Sequence, residues 1–273
     1  RNIERYCEVD RSFRTKGGIN LKFVIDSKEL QNALDSMQVR GKHLTTSGFG
    51  NSNIGTYVYL SLEGNVLKLY NGDSTFMVIL SITVEGETNG TTIVDSNSVI
   101  QYLKTCTGNV SISVSDFVSI TQTNKVRNMP RVILHPNMDS ITNIKNLVSH
   151  IVYEAQPSTL FSFGKKEFEG SCSVSHKQFK DAIKACELIN SGIYKLDFND
   201  TLSIASRNLN DIYSESITPV FSNGEPATIE FSGPLYAFFN ADQILNVYMR
   251  DEFPLLIVAN DRMLLKAPYV NGE

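Results

Sequence analysis

Apolar and polar side chains separate onto two faces in the stretch 175–189, which has the spacing of an α-helix with Ser175 at its N-cap. Its apolar residues share one face at 3.6 residues per turn: Phe179, Ala182, Ile183 and Cys186. Its lysines share a nearly opposite face: Lys177, Lys180 and Lys184. We predict a helix that packs one face on a core and turns the other toward water or an anion. A lysine face of this kind is also typical of an ordinary surface helix.

The first half of the chain alternates strand and helix patterns. Alternation from Leu21 predicts a strand, and helical spacing follows with Ser27 as cap. A second helix is predicted from Ser96 or Asn97 to about Cys106. Short strands separated by turn residues are predicted at 57–62, 66–70, 75–84, 91–94, 110–114 and 117–121, with hairpin turns at 63–65 and 71–73.

This order of elements recurs in the second half, which indicates an internal repeat of about 110–120 residues. Leu30 and Ala33 of the first helix match residues 149 positions later, Phe179 and Ala182. Later strands match at a separation of 135 residues: Leu67 with Leu202, Leu69 with Ile204, and Val110, Ile112 and Val114 with Leu245, Val247 and Met249. A helix at 233–241, opening near Pro234, would be the second helix of the later repeat.

The repeats divide the chain into three parts. Residues 1–134 form the N-terminal repeat, of which 1–18 are an irregular arm, and residues 169–273 form the C-terminal repeat. The connector, 135–168, has helical spacing between Ile141 and Val152, followed by an exposed extended piece at 159–163.

Composition limits the partners of the chain. The net charge is −4 and the estimated pI is 5.7, so any contact with nucleic acid must be confined to one face. The four cysteines form no C-x-x-C pair, and no apolar run reaches membrane-spanning length. We therefore expect a reduced, intracellular protein without a zinc site, in the cytoplasm or nucleoid.

Catalytic motifs are absent from the sequence. The four histidines are scattered, and neither a P-loop nor a G-x-S-x-G or H-E-x-x-H motif occurs. The acid pairs Asp197 with Asp200 and Asp251 with Glu252 flank predicted strand ends and are explained as turn residues. We expect neither enzymatic activity nor a cofactor or bound metal.

In this arrangement the chain resembles the DNA sliding clamps. Residues 23–30 and the turn at 71–73 resemble a bacterial beta-clamp domain, whereas 253–258 and 263–270 are similar to the last hairpin and the Ala-Pro ending of proliferating cell nuclear antigen. The resemblance covers about 20–134 and 169–270. The chain departs from the family in its longer, more helical connector, and the predicted helix at 233–241 carries no lysine or arginine.

The resemblance implies an α+β DNA-clamp fold, in which each repeat packs two helices on antiparallel sheets. The family builds its ring from six repeats, so two repeats per chain imply three chains, with helices lining the hole. The implied function is that of a DNA polymerase processivity factor, which encircles duplex DNA without reading its sequence. The implied partners are double-stranded DNA, a DNA polymerase and a clamp loader.

The resemblance also implies two sets of site residues. The DNA-facing set is Lys177, Lys180, Lys184, Lys28, Lys104, Arg40 and Lys42. The partner-binding groove beside the connector and the C-terminal end is Pro254, Leu255, Ala267, Pro268, Tyr269, Val270, Leu160, Phe161 and Phe163. Prolines in strand-like runs suit edge positions, where a missing N–H does no harm.

Two other interpretations remain open on the sequence alone. One is a ring-less or hetero-oligomeric relative of the clamps that still serves a polymerase or transcription complex. The other is a β-rich structural or interaction protein, such as a virion component, without a role on DNA; a viral protein would reside in the host cytoplasm.

Overall fold

The computed structural model describes residues 19–38, 57–72, 75–132, 151–154, 160–163, 165–189, 192–232, 235, 238–239 and 243–269, with only the backbone at 151–154 and 160–161. The arm at 1–18, the predicted loop at 47–55 and most of the connector lie outside the described residues. So do Arg40, Lys42 and Val270.

The first half contains two helices and nine strands. In chain order these are β1 (Leu21–Asp26), α1 (Ser27–Met37), β2 (Tyr57–Glu63), β3 (Val66–Gly72), β4 (Phe76–Thr83), β5 (Glu85–Thr88), β6 (Gly90–Asp95), α2 (Ser96–Leu103), β7 (Asn109–Val114), β8 (Phe117–Gln122) and β9 (Lys125–Pro130). The predicted strands and both predicted helices are confirmed within a few residues, and β5 and β9 are additional.

The described remainder contains one helix and twelve strands. In chain order these are β10 (Ile151–Glu154), β11 (Leu160–Phe163), β12 (Lys166–Glu167), β13 (Gly170–Ser175), α3 (His176–Glu187), β14 (Ile193–Asn199), β15 (Thr201–Arg207), β16 (Ile212–Ile217), β17 (Phe221–Gly224), β18 (Ala227–Ser232), β19 (Ile244–Met249), β20 (Leu255–Val258) and β21 (Arg262–Lys266).

Helix caps fix where the helices begin. Asp26, and not Ser27 as the sequence suggested, caps α1, because its carboxylate accepts the backbone N–H groups of Lys28 and Glu29 at 2.9 and 3.1 Å. Asp95 caps α2 in the same way. Ser175 is the N-cap of α3 as predicted, although its hydroxyl makes no capping hydrogen bond.

Two stretches predicted as helical depart from an α-helix at the residues that the structure describes, and residues 141–150 of the first lie outside them. Residues 151–154 form strand β10, because Ile151 to Glu154 pair in an antiparallel ladder with β11 and this pairing overrides their helical spacing. In the range 233–241, Phe238 lies in a 3₁₀ turn and Leu235 in a bend. The Phe238 carbonyl accepts a hydrogen bond from Arg262 Nη1 at 2.5 Å and so is committed to a tertiary contact.

The two halves of the chain share one nine-stranded antiparallel sheet, in the order β17-β13-β19-β20-β21-β4-β3-β2-β6. Strands β21 and β4 meet at its centre, where Met263 pairs with Ile79 and Leu265 with Met77. The other large sheets are β5-β1-β7-β8-β9 and β16-β15-β14-β18. A small sheet, β10-β11-β12, belongs to the connector.

Alternation along the nine-stranded sheet separates two cores. One face, with Val78, Leu80 and Leu264, packs in a single cluster with the buried residues of all three helices. The other face, with Ile79, Leu256 and Leu265, forms a second cluster that contains no helical residue. The three helices among the described residues therefore lie on one side of this sheet and the second cluster on the opposite side.

A polar network stabilises the joint between β21 and β4. Arg262 is 8% exposed and donates to the Asp261 carboxylate, which also accepts from Gln243 at 2.7 Å. The Asp261 carbonyl accepts the N–H of Ser81 across the joint. Burial by itself would raise the pKa of Asp261, but the hydrogen bonds and charge of Arg262 and the Gln243 amide outweigh it and lower that pKa.

We expect Asp261→Asn to lower the free energy of unfolding at pH 7 by about 1 to 3 kcal/mol, because it removes the counter-charge of a buried guanidinium. A carboxylate whose pKa is lowered on folding stabilises the protein above its unfolded pKa and loses that effect as the pH falls through the folded value. The difference between the two proteins should therefore shrink as the pH falls below about 4. Urea titrations at several pH values measure it, and a difference independent of pH would contradict this role of Asp261.

Candidate functional site

The lysines of α3 lie on its exposed side, as predicted. Lys177 and Lys184 are exposed and Lys180 is half-buried, whereas the apolar residues of the helix are fully buried against the sheets. Asp181 is exposed on the same side, which sequence reasoning overlooked although its spacing from Lys177 and Lys184 places it there. Glu187, half-buried and three residues after Lys184, lies along the same side, so the face carries three cations and two anions.

The structure brings Lys28 and Lys104 to one end of a helix pair. Helices α1 and α2 are in contact, and the amide of Gln38, just after α1, donates to Ser96 at the start of α2 at 2.9 Å. At the other end, the N–H of Ser27 donates to the carbonyl of Gly108, which follows α2. The helices thus run antiparallel, and Lys28 and Lys104 are both exposed at the same end.

An aromatic surface lies on the opposite side of the nine-stranded sheet. Phe168 is buried and contacts Phe253 and Tyr248, with ring centroids 5.3 and 6.3 Å apart, and Phe163 contacts Phe253 at 5.9 Å. The partly buried residues of this surface are Tyr57, Val132, Phe163, Phe253, Val258 and Met263. An apolar peptide side chain could pack here, because half-buried aromatic rings offer area without a polar group to desolvate.

The predicted partner residues divide between this surface and the core. Leu255 is wrong as a groove residue, since it is fully buried in the cluster that contains the helices. Strand alternation sends its neighbour Leu256 to the aromatic side, a distinction that the period of two could have supplied. The side chains of Leu160 and Phe161 are outside the described residues.

The C-terminal segment provides the remaining partner residues. Pro254, Ala267 and Pro268 are half-buried, and Tyr269 is 38% exposed. Backbone hydrogen bonds hold this segment in place: the Ala267 N–H donates to the Thr75 carbonyl at 2.8 Å and the Tyr269 N–H to the Glu230 carbonyl at 2.7 Å. A fixed backbone with an exposed ring at its end suits a peptide-binding edge.

Two sheet edges form a third feature, which sequence reasoning missed. Strand β9 ends the five-stranded sheet and β16 ends the four-stranded sheet among the described strands. β9 carries Lys125 and Arg127, the latter over the ring of Tyr102 at 5.5 Å. β16 carries Glu215, which accepts the Tyr213 hydroxyl at 2.5 Å, and this hydrogen bond is the main cause that raises the pKa of Tyr213 to about 12.

Reactive chemistry is not evident in the described part of the chain. Cys106, Cys172 and Cys186 are free and buried, and burial is the main cause that raises the pKa of Cys172 to about 12 and of Cys186 to about 11. Among the described residues, no group of three or more His, Cys, Asp or Glu side chains could hold a metal ion. No described helix is long and apolar enough to cross a membrane.

Comparison with known proteins supports the fold. No model of a known protein family matches the chain, and no curated protein matches it significantly. Among solved structures, the beta subunit of DNA polymerase III from Thermotoga maritima is 16% identical with a TM-score of 0.70, covering 96% of this chain and 70% of its own. The Streptococcus pneumoniae beta chain is also 16% identical, with a TM-score of 0.68 and coverage of 96% and 68%.

A third solved structure matches over its whole length. A. fulgidus PCNA, solved with the C-terminal region of FEN-1, is 14% identical with a TM-score of 0.65, covering 93% of this chain and 100% of its own. These neighbours share the sheet-rich architecture with few helices that the sequence predicted. The chain therefore has the fold of the DNA sliding clamps.

Proposed function

We propose that the chain is a sliding clamp: a ring of three identical chains that encircles duplex DNA and tethers a DNA polymerase to it. The observation that carries the proposal is the nine-stranded sheet, in which strands of the two repeats pair side by side. The separate five-stranded and four-stranded sheets correspond to the two halves of that sheet, so they could form a second one between neighbouring chains. The clamp fold and the lysines on the helical side support the same conclusion.

The strands of the two repeats correspond in order. Strands β17-β13-β19-β20-β21 of the joined sheet match the five-stranded sheet β5-β1-β7-β8-β9, and β4-β3-β2-β6 match the four-stranded sheet β16-β15-β14-β18. Since β21 pairs with β4 inside the chain, β9 of one chain should pair with β16 of the next. This head-to-tail contact covers both edges, and a suitable rotation closes it into a ring.

The registers of the hairpins predict how the strands would pair. Each residue of β9 corresponds to the residue of β21 that lies 137 positions later, and each residue of β4 corresponds to the residue of β16 that lies 135 positions later. Applied to the observed pairs Met263 with Ile79 and Leu265 with Met77, these separations place Val126 opposite Ser214 and Asn128 opposite Ile212.

The same register pairs opposite charges. Arg262 pairs with Leu80 inside the chain, and the corresponding residues between chains are Lys125 and Glu215. Opposite charges across two strands favour a specific register, and like charges there are unfavourable. Because both complementary edges belong to one chain, self-association is favoured over a hetero-oligomer.

A ring would place the helices and their lysines around the hole and the aromatic surface outside. Phosphate contacts from lysines hold DNA without reading its sequence, which suits a protein that must slide. The aromatic surface would bind peptides of the polymerase and of a clamp loader, and A. fulgidus PCNA binds the C-terminal region of FEN-1. We propose no catalytic role, because a tether acts through topology alone.

Light scattering in solution tests the assembly. At micromolar concentration we expect three times the chain mass of 30.4 kDa. A strictly monomeric protein, or a stable dimer, would contradict a closed ring of three chains.

The partner surface makes a separate prediction. A peptide from the C-terminus of the cognate polymerase should bind the wild-type protein, and Tyr269→Ala should weaken binding at least tenfold, because truncating an aromatic ring that a bound peptide covers costs about 2 kcal/mol or more. Phe117→Ala is a matched control, since Phe117 is a 53% exposed ring on β8 in another sheet. Calorimetry measures both affinities, and equal losses for the two variants would place the peptide site elsewhere.

A further inference from the structure

A fully exposed leucine stands on a rigid turn beside the β16 edge. Leu209 is 100% exposed, in the turn between β15 and β16. The side-chain oxygen of Asn208 accepts the N–H groups of Asn210 and Asp211, both at 2.9 Å, and its amide donates to the Ile189 carbonyl at 2.7 Å. The turn is therefore fixed to the end of α3, and it holds Leu209 out in solvent.

An apolar cleft lies beside the opposite edge, β9. It has a volume of about 310 Å³ and opens between the start of α2 and the last residues of β9. Its apolar lining residues are Val94, Val99, Val118, Met129, Pro130 and Val132, and the polar residues Asp95, Ser98, Arg127 and Asn128 also line it. A leucine side chain fits such a cleft in size and polarity, and burial there would remove apolar surface from water.

Correspondence between the repeats brings the turn to this cleft. At the joint inside the chain, Thr75 at the start of β4 accepts the N–H of Ala267, just after β21. Thr75 corresponds to Asn210 at the separation of 135 residues, and Ala267 corresponds to Pro130 at the separation of 137. Asn210 of one chain should therefore lie opposite Pro130 of the next. Leu209, next to Asn210, then lies beside Pro130 and Val132 at the mouth of the cleft.

The joint between β21 and β4 inside the chain and the proposed joint between β9 and β16 of two chains differ by one hydrogen bond. Pro130 has no N–H and cannot make the hydrogen bond that Ala267 makes, so the ladder between chains would be one bond shorter than the ladder within the chain. An apolar anchor at the same end of the strand pair would compensate for the missing bond.

We propose that Leu209 of one chain inserts into the cleft beside β9 of a second copy and anchors the contact between them. The occupant is a second copy because the turn and the cleft flank the two edges whose charges and register are complementary. This inference rests on the proposed ring and adds the side chain that determines its strength.

Self-association of the full chain tests the anchor. By sedimentation at several concentrations, Leu209→Ala should weaken association at least tenfold, and Leu209→Asp at least a hundredfold. Ser98→Trp, which fills the cleft from its wall, should have a similar effect and should be non-additive with Leu209→Ala. Val220→Asp is the control, because Val220 is 76% exposed beyond the end of β16 that lies farthest along the chain from Leu209, with its N–H bonded to the Ser173 carbonyl of β13, and it should leave association unchanged.

A cross-link locates the contact independently of affinity. Oxidation of the double variant Leu209→Cys, Pro130→Cys should give a disulfide-linked three-chain species, whereas Val220→Cys, Pro130→Cys should not. Association within twofold of wild type for Leu209→Asp and Ser98→Trp, together with no cross-link, would overturn the anchor while the ring stands. A wild-type chain that stays monomeric at all concentrations would overturn both.

Discussion

Ser214→Pro should abolish self-association while leaving the chain folded. At the joint inside the chain the N–H of Ser81 points across to Asp261, and residues two apart on a strand point the same way, so the N–H of Ile79 does too. Ser214 corresponds to Ile79. Its N–H therefore faces the open edge of β16, where proline leaves the ladder with β15 intact but blocks a second strand.

At a concentration where the wild-type protein has the mass of three chains in light scattering, Ser214→Pro should have the mass of one chain. Ser214→Ala keeps the N–H and is the matched control, which should retain the wild-type mass. Thermal melting of the isolated variant checks that it is folded. If Ser214→Pro assembles as wild type does, β16 is not the edge that joins the chains.

The triple replacement of Lys177, Lys180 and Lys184 by alanine should reduce clamp-dependent processivity of the polymerase severalfold or more. Each lysine that neutralises a phosphate releases a counterion, so the dependence of DNA binding on salt should also become less steep, by about one unit of slope for each lost contact. The three side chains point away from the core, so melting should hardly change.

A charge-matched control separates position from net charge. Lys165 and Lys166 are exposed in the connector, and Lys195 lies on the side of β14 opposite its buried residues. Replacing these three by alanine changes the net charge equally but leaves the lysine face of α3 intact. Equal processivity of the two triple variants would show that the α3 lysines are ordinary solvated surface.

Much of the fold could be predicted because the chain contains a repeat, so the pattern of each element in one half could be compared with the equivalent element in the other half. The spacings of 149 and 135 residues identified α1 and α3 as equivalent, and the structure confirms both helices with their buried faces. The sequence pattern could not predict where contacts between distant parts of the chain override the local preference for a helix. Ile151 has helical spacing but pairs with Phe163 in a ladder, and the Phe238 carbonyl accepts a hydrogen bond from the distant Arg262.

The candidate site was predicted less completely, because a surface depends on which strands end a sheet. The lysines of α3 could be assigned from helical periodicity alone. Lys125 and Glu215 could not, since their meaning depends on β9 and β16 being edges, which only the sheet order reveals. Leu255 was assigned to the partner-binding groove from the resemblance of 253–258 to a known hairpin, whereas alternation along the strand turns it to the face that packs on the helices.

A threading experiment tests the encircling of DNA most directly. The protein is incubated with linear duplex DNA, both DNA ends are then blocked by bulky protein caps, and the complex is washed at high salt. A ring held by topology should stay on the capped DNA and should be released when the duplex is cut in the middle. A protein held only by surface charge would be removed by the salt whether or not the ends are capped, and that result would contradict the sliding clamp.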